Sequence, residues 1–232
     1  MNRSAICHRI EHTGVVPVIR ASSAEQAWLA CRALHEGGID VFEITMTVPD
    51  ATRVIRELVS QFSGEVLVGA GTVIDPKTAE ACIDAGAEFI VSPGFDAHIV
   101  RVAHDAGKPA LPGALTPTEI MAALRAGADI IKLFPASAMG GAKYLRSLRA
   151  PFESVRFLPT GGVNASTARE FIAAGAVALG VGSELVDTAA LARGESEVIT
   201  ARARELIAAV RLAREELASQ KNALELAKEG SR

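Results

Sequence analysis

The stretch Ile130-Ile131-Lys132-Leu133-Phe134-Pro135 decides how the chain is read. It is a short apolar run, preceded by Gly127-Ala128-Asp129 and closed by Pro135. A run of that length and composition reads as a strand buried on both faces of a parallel sheet. Its one charged residue is Lys132. An ammonium buried without a partner is costly, and burial favours the neutral, nucleophilic amine. A lysine in a strand can also snorkel past the strand end or pair with a carboxylate. The stretch alone leaves both roles open.

Working outward, the same unit recurs. Apolar runs at 15–20, 41–46, 66–72, 89–93, 109–113, 130–134, 156–160 and 178–182 each read as a strand and are followed by a helix-type segment. Asp75-Pro76 and Thr116-Pro117 with Glu119 carry helix-start signals, and Asp50, Asp96 and Ser166 are further candidate caps. Gly37-Gly38 and the repeated turns Ala85-Gly86-Ala87, Ala126-Gly127-Ala128 and Ala174-Gly175-Ala176 are stops, where glycine suits a left-handed residue. Eight such units predict an α/β fold, a (β/α)8 TIM barrel, rather than an open doubly wound sheet. No G-x-G-x-x-G follows the first strand, which argues against a dinucleotide fold.

Residues 3–13 read as an extra N-terminal helix placed to plug the barrel bottom, and 196–230 as a long surface helix. The chain is expected to form a single domain over 1–232, with 219–232 a polar helical tail prone to disorder. A formal net charge of −3 with no basic block favours neither nucleic acid nor an anionic membrane as partner. No signal peptide or membrane-crossing run is apparent. Cys7, Cys31 and Cys82 are odd in number and widely spaced, which points to a reduced, cytoplasmic protein and to no paired metal site. His8 and His12 share a helical face without a third ligand and read as surface residues.

In a barrel the chemistry gathers at the C-terminal strand ends. Glu43, in Val41-Phe42-Glu43-Ile44, and Lys132 are the ionisable residues embedded in apolar strand sequence. They suit either a structural ion pair or a nucleophile with a proton-moving carboxylate. Pro159-Thr160-Gly161-Gly162-Val163-Asn164 and Gly180-Val181-Gly182-Ser183 follow the last two strands, where barrels commonly bind phosphate. Glycine there lets backbone N–H groups approach an anion, although tight turns alone also call for glycine.

The ordered set Glu43-Ile44-Thr45, Gly69-Ala70-Gly71-Thr72, Ser92-Pro93, Pro112-Gly113, Lys132-Leu133-Phe134-Pro135-Ala136, Pro159-Thr160-Gly161-Gly162-Val163 and Gly182-Ser183 resembles the class I 2-keto-3-deoxy-6-phosphogluconate (KDPG) aldolases. That family includes 4-hydroxy-2-oxoglutarate (KHG) aldolase activity. The likeness runs from about residue 15 to residue 210 and leaves the tail uncovered. It implies a Schiff-base lysine at Lys132 and a general acid/base at Glu43. Thr72 and the backbone at Pro93 would hold a pyruvate carboxylate. Gly161, Gly162, Gly182 and Ser183 would hold phosphate, with Thr160 shaping the site. It also implies a phosphorylated keto sugar acid and pyruvate as ligands, no metal or cofactor, and a homotrimer.

One position departs from the pattern. Some members carry an arginine associated with carboxylate binding where this chain has Thr47. Arg20, closing Pro17-Val18-Ile19-Arg20 on the neighbouring strand, is the expected substitute, unless it forms a surface pair with Glu25. Rival functions stay open. They are an aldolase for the galactonate epimer, a phosphate-binding barrel isomerase or epimerase using Glu43 as base, and a non-catalytic binding protein on the same fold.

Overall fold

The computed structural model describes residues 1–229, over which strands and helices alternate. The strands are β1 (Val15–Ile19), β2 (Val41–Thr45), β3 (Leu67–Gly71), β4 (Ile90–Val91), β5 (Ala110–Leu111), β6 (Gly113–Ala114), β7 (Ile131–Leu133), β8 (Phe157–Pro159) and β9 (Leu179–Val181). Each lies within or at the edge of one of the eight predicted segments. The fifth is split at Pro112, which has no N–H to give to a ladder.

The sheet is parallel and curled, in two ladders ordered β5-β4-β3-β2-β1-β9 and β6-β7-β8. On either side of Pro112 the backbone serves both neighbours. Ser92 N–H donates to the Leu111 carbonyl and Lys132 N–H to the Pro112 carbonyl. Isolated bridges Phe157↔Ala176 and Thr160↔Gly180 link β8 to the β9 segment.

The helices are α1 (Arg3–Thr13), α2 (Ala24–Glu36), α3 (Ala51–Phe62), α4 (Pro76–Asp84), α5 (Ala97–Asp105), α6 (Pro117–Arg125), α7 (Ala142–Arg149), α8 (Ala165–Ala173), α9 (Thr188–Ala192) and α10 (Glu197–Glu229). Asp75, Asp96 and Thr116 cap as expected, Thr116 in a reciprocal box with Glu119. Two expected caps are corrected. Asp50 stands at the start of α3 in left-handed conformation without a side-chain cap bond. Ser166 is inside α8, whose cap is Asn164; that side chain accepts from the backbone of both Ser166 and Thr167. The short α9 was not read from the sequence, being a single five-residue turn. The tail continues α10 as one helix to Glu229, and its last residues, 230–232, lie outside the described residues.

Strand side chains alternate between two apolar layers, as a pleat of period two requires. Phe42, Ile44, Ile131 and Leu133 face the large layer between sheet and helices. Val16, Val41, Leu67, Phe89, Val91, Leu111, Ile130, Leu158 and Ala178 face inward and form a second cluster with Ile6, Cys7 and Ile10 of α1. Burying these apolar side chains contributes roughly 1.5–3 kcal/mol each before entropy is counted. Among the described residues no helix is long and apolar enough to cross a membrane.

Candidate active site

The alternation that sends Val41 and Ile130 inward sends Glu43 and Lys132 inward one step nearer the C-terminal strand ends. Glu43 is paired with Val18 on β1 and with Gly69 on β3. Lys132 is paired with Gly113 on β6 and with Leu158 on β8. From opposite walls the two side chains meet. Lys132 Nζ donates to Glu43 Oε1 at 3.2 Å, with exposures of 3% and 0% for the two residues. Removing either partner would leave an uncompensated buried charge. The ammonium also lies 5.7 Å from the centre of the Phe134 ring, within cation–π range.

Room for the carboxylate comes from β3. A Cβ on Gly71 would strike the Glu43 carboxylate, so a side chain of any size there would displace it. The other oxygen, Glu43 Oε2, is buried and has no hydrogen-bond partner among the described residues. Thr160 Oγ1 is in the same position. Buried polar atoms are nearly always paired, so two orphans in one mouth mark acceptor and donor positions that a ligand would satisfy. Immediately after β3, Thr72 sits at φ 55°. A β-branched residue in that region is strained by about 1–3 kcal/mol, and such strain concentrates at functional sites.

Arg20, Thr160, Gly161, Gly162, Gly182 and Ser183 line one pocket of about 180 Å³, with Val18 and Phe134 as its apolar walls. The turn inside it holds Gly161 and Gly162 at φ 97° and 71°. Thr72, Pro93 and Thr47 are not part of that lining. Thr47 turns its hydroxyl to Thr45, 2.7 Å away, and Thr45 donates to the Ile19 carbonyl at 2.9 Å. Pro93 presents backbone, against which Gly113 packs so closely that a Cβ would strike the Pro93 carbonyl. The structure thus joins Lys132 with Glu43, and Arg20 with the glycine turns. Gly71 and Phe134 were not singled out from the sequence. Their signal was spacing: Gly71 and Phe134 lie two residues beyond the inward Gly69 and Lys132.

Among the described residues no group of three or more His, Cys, Asp or Glu is arranged to hold a metal ion. A lysine beside a carboxylate whose second oxygen has no partner among the described residues has the groups needed to form an imine and to move a proton.

The KDPG and KHG aldolase family model matches residues 6–202. The chain is 37% identical over 198 residues to the KHG/KDPG aldolase of Escherichia coli K12, covering 85% of this chain and 92% of that one. It is 39% identical over 194 residues to the 2-dehydro-3-deoxy-phosphogluconate aldolase of Dickeya dadantii, covering 84% and 91%. The fold superposes with a TM-score of 0.80 on the KDPG aldolase of Legionella pneumophila with pyruvate captured at low pH as a covalent carbinolamine intermediate. That likeness is 32% in sequence and covers 87% of this chain and 97% of that one. The chain belongs to the KDPG and KHG aldolase family.

Proposed function

We propose that the chain is a metal-independent, Schiff-base (class I) aldolase. It cleaves 2-keto-3-deoxy-6-phosphogluconate to pyruvate and glyceraldehyde 3-phosphate, and 4-hydroxy-2-oxoglutarate to pyruvate and glyoxylate. The observation that carries this reading is the buried contact of 3.2 Å between Lys132 and Glu43 in a chain of this family. Relatives named for both activities and the neighbour holding pyruvate as a carbinolamine support it.

Lys132, as the free amine, adds through Nζ to the ketone carbon, and loss of water leaves a protonated imine. That cation accepts the electron pair of the bond between the third and fourth carbons as it breaks. Glu43 takes the proton of the fourth-carbon hydroxyl, so the distal fragment leaves as an aldehyde and the pyruvate enamine stays on Lys132. Protonated Glu43 returns the proton to the third carbon, and water then hydrolyses the imine to pyruvate and free amine. The unpartnered Oε2 of Glu43 is the oxygen free to carry that proton while Oε1 faces Lys132.

To Thr72, the backbone at Pro93 and Thr47 we assign the carboxylate end. To Thr160, Gly161, Gly162, Gly182 and Ser183 we assign the phosphate. Phosphate lies outside the bond being broken, so its binding positions the reacting end.

The scaffold on this reading is one domain over 1–232, a closed (β/α)8 barrel with α1 across its N-terminal end. Closure rests on the shared backbone around Pro112 and on the Thr160↔Gly180 bridge. Homotrimeric assembly rests on family resemblance, and a sedimentation mass of three chains is the expected result. Three buried free thiols suit a reducing, cytoplasmic setting.

Borohydride reduction in the presence of pyruvate, followed by intact mass and peptide mapping, tests the whole reading. A stable adduct on Lys132 is expected. Active protein that forms no adduct would overturn it.

A further inference from the structure

We propose that α1 is a separately opening floor of the barrel, and that Arg214, midway along α10, is the bolt that keeps it shut. The proposal goes beyond the reaction and does not depend on it. α1 lays Ile6, Cys7 and Ile10 into the inner apolar cluster. Val41 and Ile130 of the same cluster stand two residues before Glu43 and Lys132. α1 therefore closes the barrel directly beneath that buried pair.

The end of α1 is where a cation belongs. The last carbonyls of a helix have no partner within it and carry the negative end of its dipole. Gly14, left-handed at φ 72°, turns its N–H back to the Ile10 carbonyl. Arg214 takes the next two, donating to the carbonyl of Glu11 and, at 2.8 Å, to that of His12. It also donates at 2.9 Å to the Val177 carbonyl, just before β9. One guanidinium thus joins the end of α1 to the entry of β9, where Leu179 N–H donates to the Gly14 carbonyl. Its slot exists because residue 14 is glycine: a Cβ there would strike the guanidinium.

The bolt is anchored on the outer layer. Val210 and Ala213 of α10 are buried in the layer between sheet and helices, and Arg169 of α8 pairs with Glu216 at 2.7 Å. The ion pairs that also tie α1 down are Arg3 with Asp129, Arg9 with Asp40 and Arg156 with Glu11. Each has one side chain more than a third exposed, and such pairs contribute little. The Thr13 hydroxyl adds one bond to the same Asp40 at 2.6 Å. α1 can therefore detach while the outer helices stay packed, the kind of local opening that precedes global unfolding. The family match ends at residue 202, before this turn of α10, so the bolt lies outside the matched region.

The thiols report the opening. Cys7 is on the buried face of α1, whereas Cys31 and Cys82 are in the outer layer. The full-length parent, Arg214→Met, Arg214→Lys and, as a control, Arg211→Met are held with iodoacetamide at pH 8 without denaturant in long incubations. Peptide mapping follows each thiol. Arg214→Met keeps the apolar stem and removes the donors. Its Cys7 should be modified about 10- to 100-fold faster than that of the parent, the range for losing a charged hydrogen bond. Cys31 and Cys82 should keep their parental rates. Arg214→Lys should lie between, since it keeps the charge without the fork. Arg211 is exposed and pairs with Glu215 on its own helix, so Arg211→Met should match the parent. A parental Cys7 rate in folded Arg214→Met, or acceleration of all three thiols by one factor, overturns the proposal. Should Arg214→Met not fold, Arg214→Lys and the parent in graded urea decide. Modification of Cys7 ahead of the other two, and at lower urea in Arg214→Lys, supports a bolted floor; three thiols modified together overturn it.

Discussion

Lys132 and Glu43, 89 residues apart in sequence, meet at 3.2 Å with almost no exposed surface. A buried pair of this kind adds little net stability, because each charge gives up its water. Its value is local. The carboxylate keeps the amine in place, and its second oxygen has no partner among the described residues. Stability and chemistry are therefore separable at this pair.

A double-mutant cycle on the pair makes that separation measurable. Lys132→Met and Glu43→Gln each break it, and Lys132→Met, which strands the carboxylate, should destabilise by about 3–5 kcal/mol. The double variant should be more stable in urea than Lys132→Met alone. Glu43→Gln should still trap pyruvate slowly while turnover falls about 10²- to 10⁴-fold, the range for losing a general acid/base. A Glu43→Gln protein with parental turnover would remove Glu43 from the chemistry.

Gly71 and Gly69 on β3 offer a matched contrast. A Cβ on Gly71 meets the Glu43 carboxylate, whereas one on Gly69 meets the Phe89 ring in the inner apolar cluster. Gly71→Ala and Gly69→Ala should each cost about 1–3 kcal/mol of stability through overpacking. Activity per folded molecule should collapse only for Gly71→Ala. Equal activity in the two, measured against unfolding midpoints, would mean that the carboxylate tolerates displacement.

The strands were legible because apolar runs bounded by glycine, proline and polar residues need no tertiary information to be recognised. The split at Pro112 was visible in kind, since a proline cannot donate, but its effect on two neighbouring strands depends on who stands beside it. The helix caps divide along the same line. Asp75 and Thr116 cap through bonds within their own first turn, whereas Asp50 has the right residue type in the wrong backbone conformation. At the site, Lys132 and Glu43 stood out as charges in apolar strands. That Arg20 lines the pocket of Thr160, Gly161 and Gly162 and not that of Thr72 was not readable, because the sequence says which strand it ends but not which neighbours its side chain meets.

Thr160 bears a buried hydroxyl with no partner among the described residues, and Gly180 opposite it leaves room. Thr160→Val keeps the shape and removes the orphan, so the unliganded protein should gain about 1 kcal/mol. For a chain of this size that corresponds to a melting midpoint about 2–4 °C higher. The same variant should raise KM for the phosphorylated substrate while leaving pyruvate trapping intact. A lower midpoint would mean that the hydroxyl is already satisfied in solution.

The buried thiols should set an alkaline limit. Burial pushes Cys7 and Cys82 up from 9.0 to about 11, and pushes Cys31 higher still. The unfolded chain therefore releases these protons at lower pH than the native one, and raising pH favours unfolding. Their contribution is complete below about pH 9 and disappears as pH rises through about 11, at about 1–2 kcal/mol for each of Cys7 and Cys82. Urea midpoints at pH 8 and pH 10.5 should differ more in the parent protein than in a Cys7→Ala/Cys82→Ala variant, whatever the variant's stability at pH 8. In the native protein at pH 8, iodoacetamide should leave all three thiols unmodified until urea exposes them. An identical loss of stability between the two pH values in parent and variant would assign the alkaline limit to other groups.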